Sequence, residues 1–333
     1  MTTAILAILL FCIMIFPHEL GHFIAAKRMD VKVNEFSFGM GPAIWKRQKG
    51  ETLYSIMLFP IGGFCAMEGE DEESEEPRAF TNKKPWQKIV ILAAGSFMNV
   101  ICAVIIMIIV TGILGFTTTT IDEVTAGSPA AKAGIVQGDE IVEINDKKVE
   151  SWGDVSQYIG EAGEKSVTIE VSRDGNAKTL VMQPEYDDAG RYVVGIKCAI
   201  SHSPLRAIAE GSKATWNMTV DMFDVLGQLF TGKLGTENLS GPVGMVQMVS
   251  ETTQYGFWYY GFLTALICMN LAIMNMLPFP ALDGGRIIFV LYTAITGKPV
   301  SQKVEGTIHF VGIILLFALM IYVTFNDITR IFG

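Results

Sequence analysis

Residues 18–22 read His18-Glu19-Leu20-Gly21-His22, a pair of histidines four apart with a glutamate beside the first. On a helix His18 and His22 share a face, and their ring nitrogens can converge on one Zn²⁺ at roughly 2.0–2.1 Å. Glu19, one position round, can then reach a water held at that ion, the layout of a hydrolytic zinc site. The surroundings are unusual for such a site. No charged residue lies between Thr3 and Ile15, and apolar character resumes at Phe23-Ile24-Ala25-Ala26. Ionisable groups within a membrane segment cost about 2.5–3.5 kcal/mol each, so they need a function or a partner. A single histidine on an apolar face is ordinarily just hydrogen-bonded, but two of the four histidines in the chain stand here at ligand spacing.

Two histidines do not complete a catalytic zinc site, which takes three protein ligands and a water. His202, His309 and Asp283 are the candidates for the third. Asp283 lies in the run Asn275-Met276-Leu277-Pro278-Phe279-Pro280-Ala281-Leu282-Asp283-Gly284-Gly285-Arg286. Topology favours it, because the apolar segment before it ends on the same side as the first one, whereas His202 falls on the far side and His309 near the start of the last segment. Among prolines and glycines the carboxylate could instead serve only to cap or turn the chain.

The elements that must position these groups are spans. The chain has 333 residues, half of them hydrophobic, and a mean hydropathy of +0.38, too apolar for an ordinary soluble enzyme of this length. Four runs, about residues 3–26, 89–114, 258–279 and 308–325, are long enough to cross a bilayer. The first lacks the basic start and small-residue cleavage site of a signal peptide and is read as retained. Lys27, Arg28 and Lys32, then Lys83, Lys84 and Lys88, then Arg286, Lys298 and Lys303 place the loops they occupy in the cytoplasm. Both termini and residues 116–257 then face outside, and the His pair lies toward the cytoplasmic side. The formal net charge of −9 argues against nucleic acid as a partner. Of the five cysteines, Cys12, Cys102 and Cys268 lie in spans, so no disulfide framework is expected.

Four regions follow. Residues 1–115 form an N-terminal membrane core with spans one and two. Within it, the apolar, strand-forming stretch 52–67 is split by Pro60-Ile61-Gly62-Gly63 and is expected to be a membrane-associated β-hairpin, followed by a solvated acidic loop at 68–77. Residues 116–200 shift to soluble composition, and Ser128-Pro-Ala-Ala-Lys-Ala-Gly-Ile-Val-Gln-Gly-Asp-Glu-Ile141 looks like a PDZ domain of the bacterial kind. Residues 201–257 are expected to be helical and interfacial, because Leu205, Ile208, Trp216, Val220, Phe223, Leu226 and Phe230 recur at helical spacing. Residues 258–333 form the C-terminal membrane core with spans three and four.

His18-Glu19-x-x-His22, Phe38-Gly-Met-Gly-Pro42, Pro60-Ile-Gly-Gly63, one PDZ-like stretch and Asn275-x-x-Pro-x-Pro-x-Leu-Asp283-Gly occur in this order. Together they resemble the site-2 protease family of intramembrane zinc metalloproteases, of the bacterial RseP type, over nearly the whole chain. The resemblance implies a multi-span α-helical membrane protein with four transmembrane helices, a membrane-associated β-hairpin and an inserted extracytoplasmic PDZ domain. It implies that His18, His22 and Asp283 bind zinc and that Glu19 is catalytic. It also implies that Asn275 and Asn270 engage substrate and that the hairpin, with Gly62, Gly63 and Phe64 at its bend, pairs with an unwound substrate strand. The chain departs from the longest members in having one PDZ stretch where they have two.

The expected activity is zinc-dependent hydrolysis of peptide bonds in or near the transmembrane segment of single-span proteins or remnant signal peptides, in a bacterial cell membrane. Expected partners are those substrates, the lipid bilayer and a peptide ligand of the PDZ domain. The competing reading of another class is a catalytically silent membrane PDZ scaffold, which the joint presence of His18, Glu19, His22 and Asp283 disfavours. A zinc transporter would need polar residues spread through several spans, and these spans are mostly plain apolar.

Overall fold

The structure is a computed structural model. It describes residues 2–332 except Asp71, Glu73, Asp188, Ala189, 236–239 and Pro299, and leaves aside the side chains of Ile61, Gln302, Ile331 and Phe332. Asp71 and Glu73 of the acidic loop at 68–77, and residues 236–239 of the interfacial region, therefore lie outside the described residues. The chain divides into two units, Met1–Val110 with Gly211–Gly333, and Thr111–Glu210.

The first unit opens with helix α1 (Thr2–Arg28), strands β1 (Val33–Lys49) and β2 (Thr52–Met67), and helix α2 (Pro85–Leu114), which runs on into the second unit. The second unit holds β3 (Phe116–Val124), α3 (Pro129–Ala133), β4 (Glu140–Ile144), β5 (Lys147–Lys148), α4 (Trp152–Ala162), β6 (Val167–Arg173), β7 (Asn176–Met182), β8 (Glu185–Tyr186), β9 (Tyr192–Val193) and β10 (Ile196–Ser201). Helix α5 (Pro204–Phe230) leads back to the first unit, which ends with α6 (Pro242–Gln254), α7 (Phe257–Asn275), α8 (Asp283–Thr296) and α9 (Gln302–Phe332).

Helices α1, α2, α7 and α9 are each long and apolar enough to cross a membrane. Their exposed faces show why water is the wrong solvent. On α2, Phe97, Ile101, Ile105 and Ile109 are exposed at four-residue spacing, while Leu92, Asn99, Ala103 and Met107 turn inward. On α9, Phe310, Ile314, Phe317, Ile321 and Phe325 are likewise exposed. Such stripes are stable only against other apolar matter. The third apolar run continues in sequence to 279, but α7 stops at Asn275, because Pro278 and Pro280 can neither donate to a helical turn nor let the residue before them stay helical.

The inward faces build one core from Leu10 and Met14 of α1, Ala103 and Met107 of α2, Met218 of α5, Val249 of α6, and Leu263 and Cys268 of α7. Pro17 sits inside α1 and removes one backbone hydrogen bond, the one that the Ile13 carbonyl would accept. The thiol of Cys268 lies 4.0 Å from that carbonyl and serves as its partner, a neighbour-helix repair of the kind membrane helices require.

The stretch 52–67 is not the self-paired hairpin expected from its sequence. The tight turn is at Gly50-Glu51, where Lys46–Lys49 returns against Thr52–Ser55. The chain does reverse at Pro60–Gly63, but the two arms do not pair with each other. Glu35–Phe38 lies between them, running with Leu53–Ile56 on one side and against Gly63–Ala66 on the other. The missed signal was alternation in Val33-Asn-Glu-Phe-Ser-Phe38, too short and too polar to stand out. Phe36 packs on Phe16 and Phe23 of α1 with ring centroids 6.0 and 4.9 Å away, which seats the sheet on the helix that carries the His pair. Glu51 in the turn accepts from Arg78 and pairs with Lys27, and these contacts, Arg78 foremost, hold its carboxyl down to about 2. Toward the other end Met40, Ile44, Ile56, Leu58 and Phe59 are exposed, leaving an apolar tip.

The second unit is a sheet in the order β10-β3-β4-β6-β7, with β5 paired to β4. Val167, Ile169 and Val171 of β6 alternate inward onto Ile121, Ile141, Ile144, Val155 and Ile159. Ser128 caps α3 by accepting from the Ala131 N–H, and Ser151 with Asp154 forms a reciprocal cap on α4. Asp139 is fully buried and takes a two-pronged ion pair from Arg173, with Nε–Oδ1 2.6 Å and Nη2–Oδ2 2.7 Å. Arg173 holds the Asp139 carboxyl below its usual range. A carboxyl lowered on folding contributes stability that is present at neutral pH and lost as pH falls through the folded-state value, below about 4. Asp139→Ala removes both prongs of this pair, and hydrogen exchange at the β4 and β6 amides should show protection lost at pH 7, with the loss shrinking toward pH 3; unchanged protection at pH 7 would contradict this account of the unit.

Candidate metal centre

Helix α1 presents His18 and His22 on one buried face, and α8 begins at Asp283. The structure brings these three together. His18 Nε2 lies 3.3 Å from Asp283 Oδ2, His22 Nε2 lies 3.5 Å from the same oxygen, and the two Nε2 atoms are 3.2 Å apart. Three ligands at zinc distances in a tetrahedron stand about 3.3 Å from one another, so the observed triangle has the size the ion requires. Asp283 Oδ2 is buried with no hydrogen-bond partner, an orphan acceptor that a cation would satisfy. The donor set, two imidazoles and a carboxylate, suits zinc. Among the described residues this is the one group of three or more such ligands within reach of each other. His202 belongs to the second unit, and His309 is engaged elsewhere.

Each ligand is oriented by an identifiable device. His22 Nδ1 is 2.9 Å from the Ile91 carbonyl of α2, so the proton sits on Nδ1 and the Nε2 lone pair faces the centre. Gly95 of α2 supplies the space, since a methyl group there would lie 2.3 Å from His22 Nε2 and 2.7 Å from His18 Cε1. Gly21 does the reverse on α1, letting the Ala94 carbonyl approach to where its own Cβ would be. Sequence reading missed Gly95; the small run Ala93-Ala94-Gly95-Ser96 inside an otherwise bulky apolar span was the available signal.

Asp283 is placed by the loop 276–282. Gly284 and Gly285 pack against the Leu277 and Phe279 carbonyls at distances that admit no side chain. Ala281 is held at φ 79°, a strained value for a residue with a Cβ. His309 of α9 accepts from the Ala281 N–H at 2.9 Å, and Gly312 one turn on lets α9 touch the Pro280 carbonyl. His309 thus holds the loop that delivers the ligand. The carboxylate also sits in the first turn of α8, where the helix dipole favours negative charge.

Glu19 is half-buried beside the triangle, and the sheet lies against it. A Cβ at Gly63 would be 3.3 Å from Glu19 Cγ, and the Cys65 backbone N–H is directed at the Glu19 carboxylate. Gly62, at φ 92°, packs on Met40, and Phe64 pairs with Ser37. Asn275, the last residue of α7, has its Nδ2 3.3 Å from His18 Nε2 and so borders the centre. Asn270 is exposed on α7 and is not brought into that contact. Two substitutions probe the arrangement. Gly95→Leu should abolish zinc retention, and His309→Ala should lower zinc affinity by about tenfold by loosening the 276–282 loop; metal analysis of the purified variants reads both, and full zinc in Gly95→Leu would contradict the geometry.

Comparison with known proteins places the chain in a family. Proteins carrying the name "Putative zinc metalloprotease" are 37% identical in Clostridium acetobutylicum, covering 97% of this chain and 96% of the relative, and 31% identical in Staphylococcus aureus, covering 100% and 99%. The crystal structure of the PDZ domain of an SdrC-like protein from Listeria monocytogenes is 22% identical, covering 26% of this chain and 87% of that one, with a TM-score of 0.22. Residues 6–319 match Peptidase family M50. The chain therefore belongs to Peptidase family M50, the site-2 protease family of zinc metalloproteases.

Proposed function

We propose that this protein is a zinc-dependent intramembrane endopeptidase that cuts single-span membrane proteins, or remnant signal peptides, in or near their transmembrane segment. The observation that carries this reading is the buried triangle of His18, His22 and Asp283, 3.2–3.5 Å on a side, set among apolar helices with Glu19 adjacent. His18 and His22, through Nε2, and Asp283, through Oδ2, would hold the metal. Zinc bound there supplies Lewis acidity toward the scissile carbonyl and a water acidified to near neutrality.

The rest falls to the chain. Glu19 takes a proton from the attacking water on its carboxylate oxygen and returns it to the leaving amine nitrogen. Asn275 Nδ2, at the edge of the centre, donates to the substrate backbone or to the oxyanion as it forms. A transmembrane helix hides its peptide bonds in its own hydrogen bonds, so the substrate must unwind before it can be cut. Gly63–Met67 is an edge of the sheet beside Glu19, and pairing there would satisfy the freed backbone groups. Gly62 and Gly63 at the bend, with Phe64, would accept an extended strand close to the catalytic carboxylate. Asn270 has no such support from its position.

The basic residues at the span ends favour a topology in which the metal centre lies toward the cytoplasm, and both termini and the second unit lie outside, in a bacterial cell membrane. The apolar tip at Met40–Phe59 would enter the bilayer. Helix α5 would lie at the outer interface, with Leu205, Ile208, Trp216, Phe223 and Phe230 exposed on one side and Arg206, Lys213 and Asp224 on another. The second unit would act as a PDZ domain, binding an extended peptide on a sheet edge.

The test uses the purified protein in liposomes with a single-span substrate carrying a Gly-Pro kink. Cleavage should occur within the span, stop on chelation, and fall by about 10²-fold or more in Glu19→Gln while zinc content stays unchanged. Replacing the kink with leucines should slow cleavage strongly; an unchanged rate would remove the unwinding step. Cleavage that survives both chelation and Glu19→Gln would refute the protease mechanism.

A further inference from the structure

Asn99 of α2 is fully buried, and neither its Nδ2 nor its Oδ1 has a hydrogen-bond partner. An amide left so inside an apolar core costs about 1–3 kcal/mol per unpaired group, and native proteins tolerate few of them. A second orphan belongs to the metal centre: Nδ1 of His18 is buried and unpartnered too. Its counterpart on His22 is satisfied by the Ile91 carbonyl. The two histidines thus differ in just the place where metal-ligating histidines are normally anchored.

Helix α2 runs from its close crossing with α1 at Gly95 toward Asn99, on the side of His18 away from His22. His22 meets Ile91, and both histidines meet Gly95. The order His22 with Ile91, then both histidines with Gly95, descends α1 while it ascends α2, so the two helices are antiparallel at this crossing. Asn99 follows Gly95 by four residues and lies on the same face of α2, about 5–6 Å farther along. Side chains on a helix lean toward its N-terminus, which carries the His18 ring from the level of Gly95 toward that of Asn99. Asn275 Nδ2, a donor, lies 3.3 Å from His18 Nε2, so with Nε2 accepting there or ligating zinc the ring proton belongs on Nδ1.

We propose that Asn99 is a positioning residue for the metal centre: its side-chain oxygen accepts the His18 Nδ1–H through one buried water and fixes the tautomer and ring angle with Nε2 free for zinc. Ser96, one turn before in the same span and also buried without a partner at Oγ, is placed to complete the hydrogen bonding of such a water. The inference rests on the assignment of zinc to His18, His22 and Asp283.

The experiment is a zinc competition titration on the purified full-length protein against a chromophoric chelator, with thermal melting of the zinc-free protein beside it. Asn99→Ala should weaken zinc binding by about 10- to 100-fold, and Asn99→Asp, which keeps an acceptor oxygen in place, should restore it. Melting of the zinc-free protein should not fall in Asn99→Ala. Asn99→Leu fills the site if the alanine variant does not fold, with the same loss of affinity expected. Wild-type affinity in Asn99→Ala or Asn99→Leu would overturn the proposal. So would equal losses in Asn99→Ala and Asn99→Asp together with a lowered melting temperature, which would mark a packing role. His18→Ala separates the two levels: if it too binds zinc like the wild type, the ligand assignment fails and not merely the role of Asn99.

Discussion

Two imidazoles and a carboxylate are held at mutual distances of 3.2–3.5 Å inside a bundle of apolar helices, and much of the first unit follows from the cost of doing so. In low dielectric, unpaired polar groups are expensive, and those that remain must be locked by neighbours. Helix α2 contributes a carbonyl to His22 and a missing side chain at Gly95. Helix α9 contributes His309 and Gly312 to the loop before Asp283. These contacts bring together residues 18, 95, 283 and 309, so that four separate segments fix one cluster three ligands wide.

The same constraint explains where regular structure is interrupted. Pro17 breaks the α1 ladder one residue before His18, and a thiol from α7 attends the carbonyl set free. The chain between α7 and α8 is irregular, tightly packed on glycines and strained at Ala281, which lets a carboxylate arrive at a helix N-terminus instead of from mid-helix. The sheet seated on α1 brings backbone, not side chains, up to Glu19. Each interruption lies beside the metal centre, where irregular backbone is buried in protein and its polar groups can be answered.

Much of this was legible in the sequence because its signals are local. Helical spacing of His18 and His22, apolar runs of span length, and prolines and glycines around Asp283 each report on a single segment. The choice of Asp283 over His202 and His309 needed only the order of the spans and the charges at their ends. What stayed hidden depends on pairing across distance. Val33–Phe38 inserts between the arms of the 52–67 stretch, and no pattern within 52–67 reveals a third partner. Gly95 looks like any glycine in a membrane helix until His18 and His22 are packed against it. His309 could be read as a ligand, and only the approach of α9 to Ala281 shows it holding a loop.

X-ray absorption at the zinc edge on the purified protein tests the central claim most directly. The account expects a first shell of nitrogen and oxygen alone at about 2.0–2.1 Å, with the outer-shell signature of two imidazoles and no sulfur. Sulfur scattering at about 2.3 Å would place the metal on the cysteines, and one imidazole or none would contradict the pairing of His18 with His22.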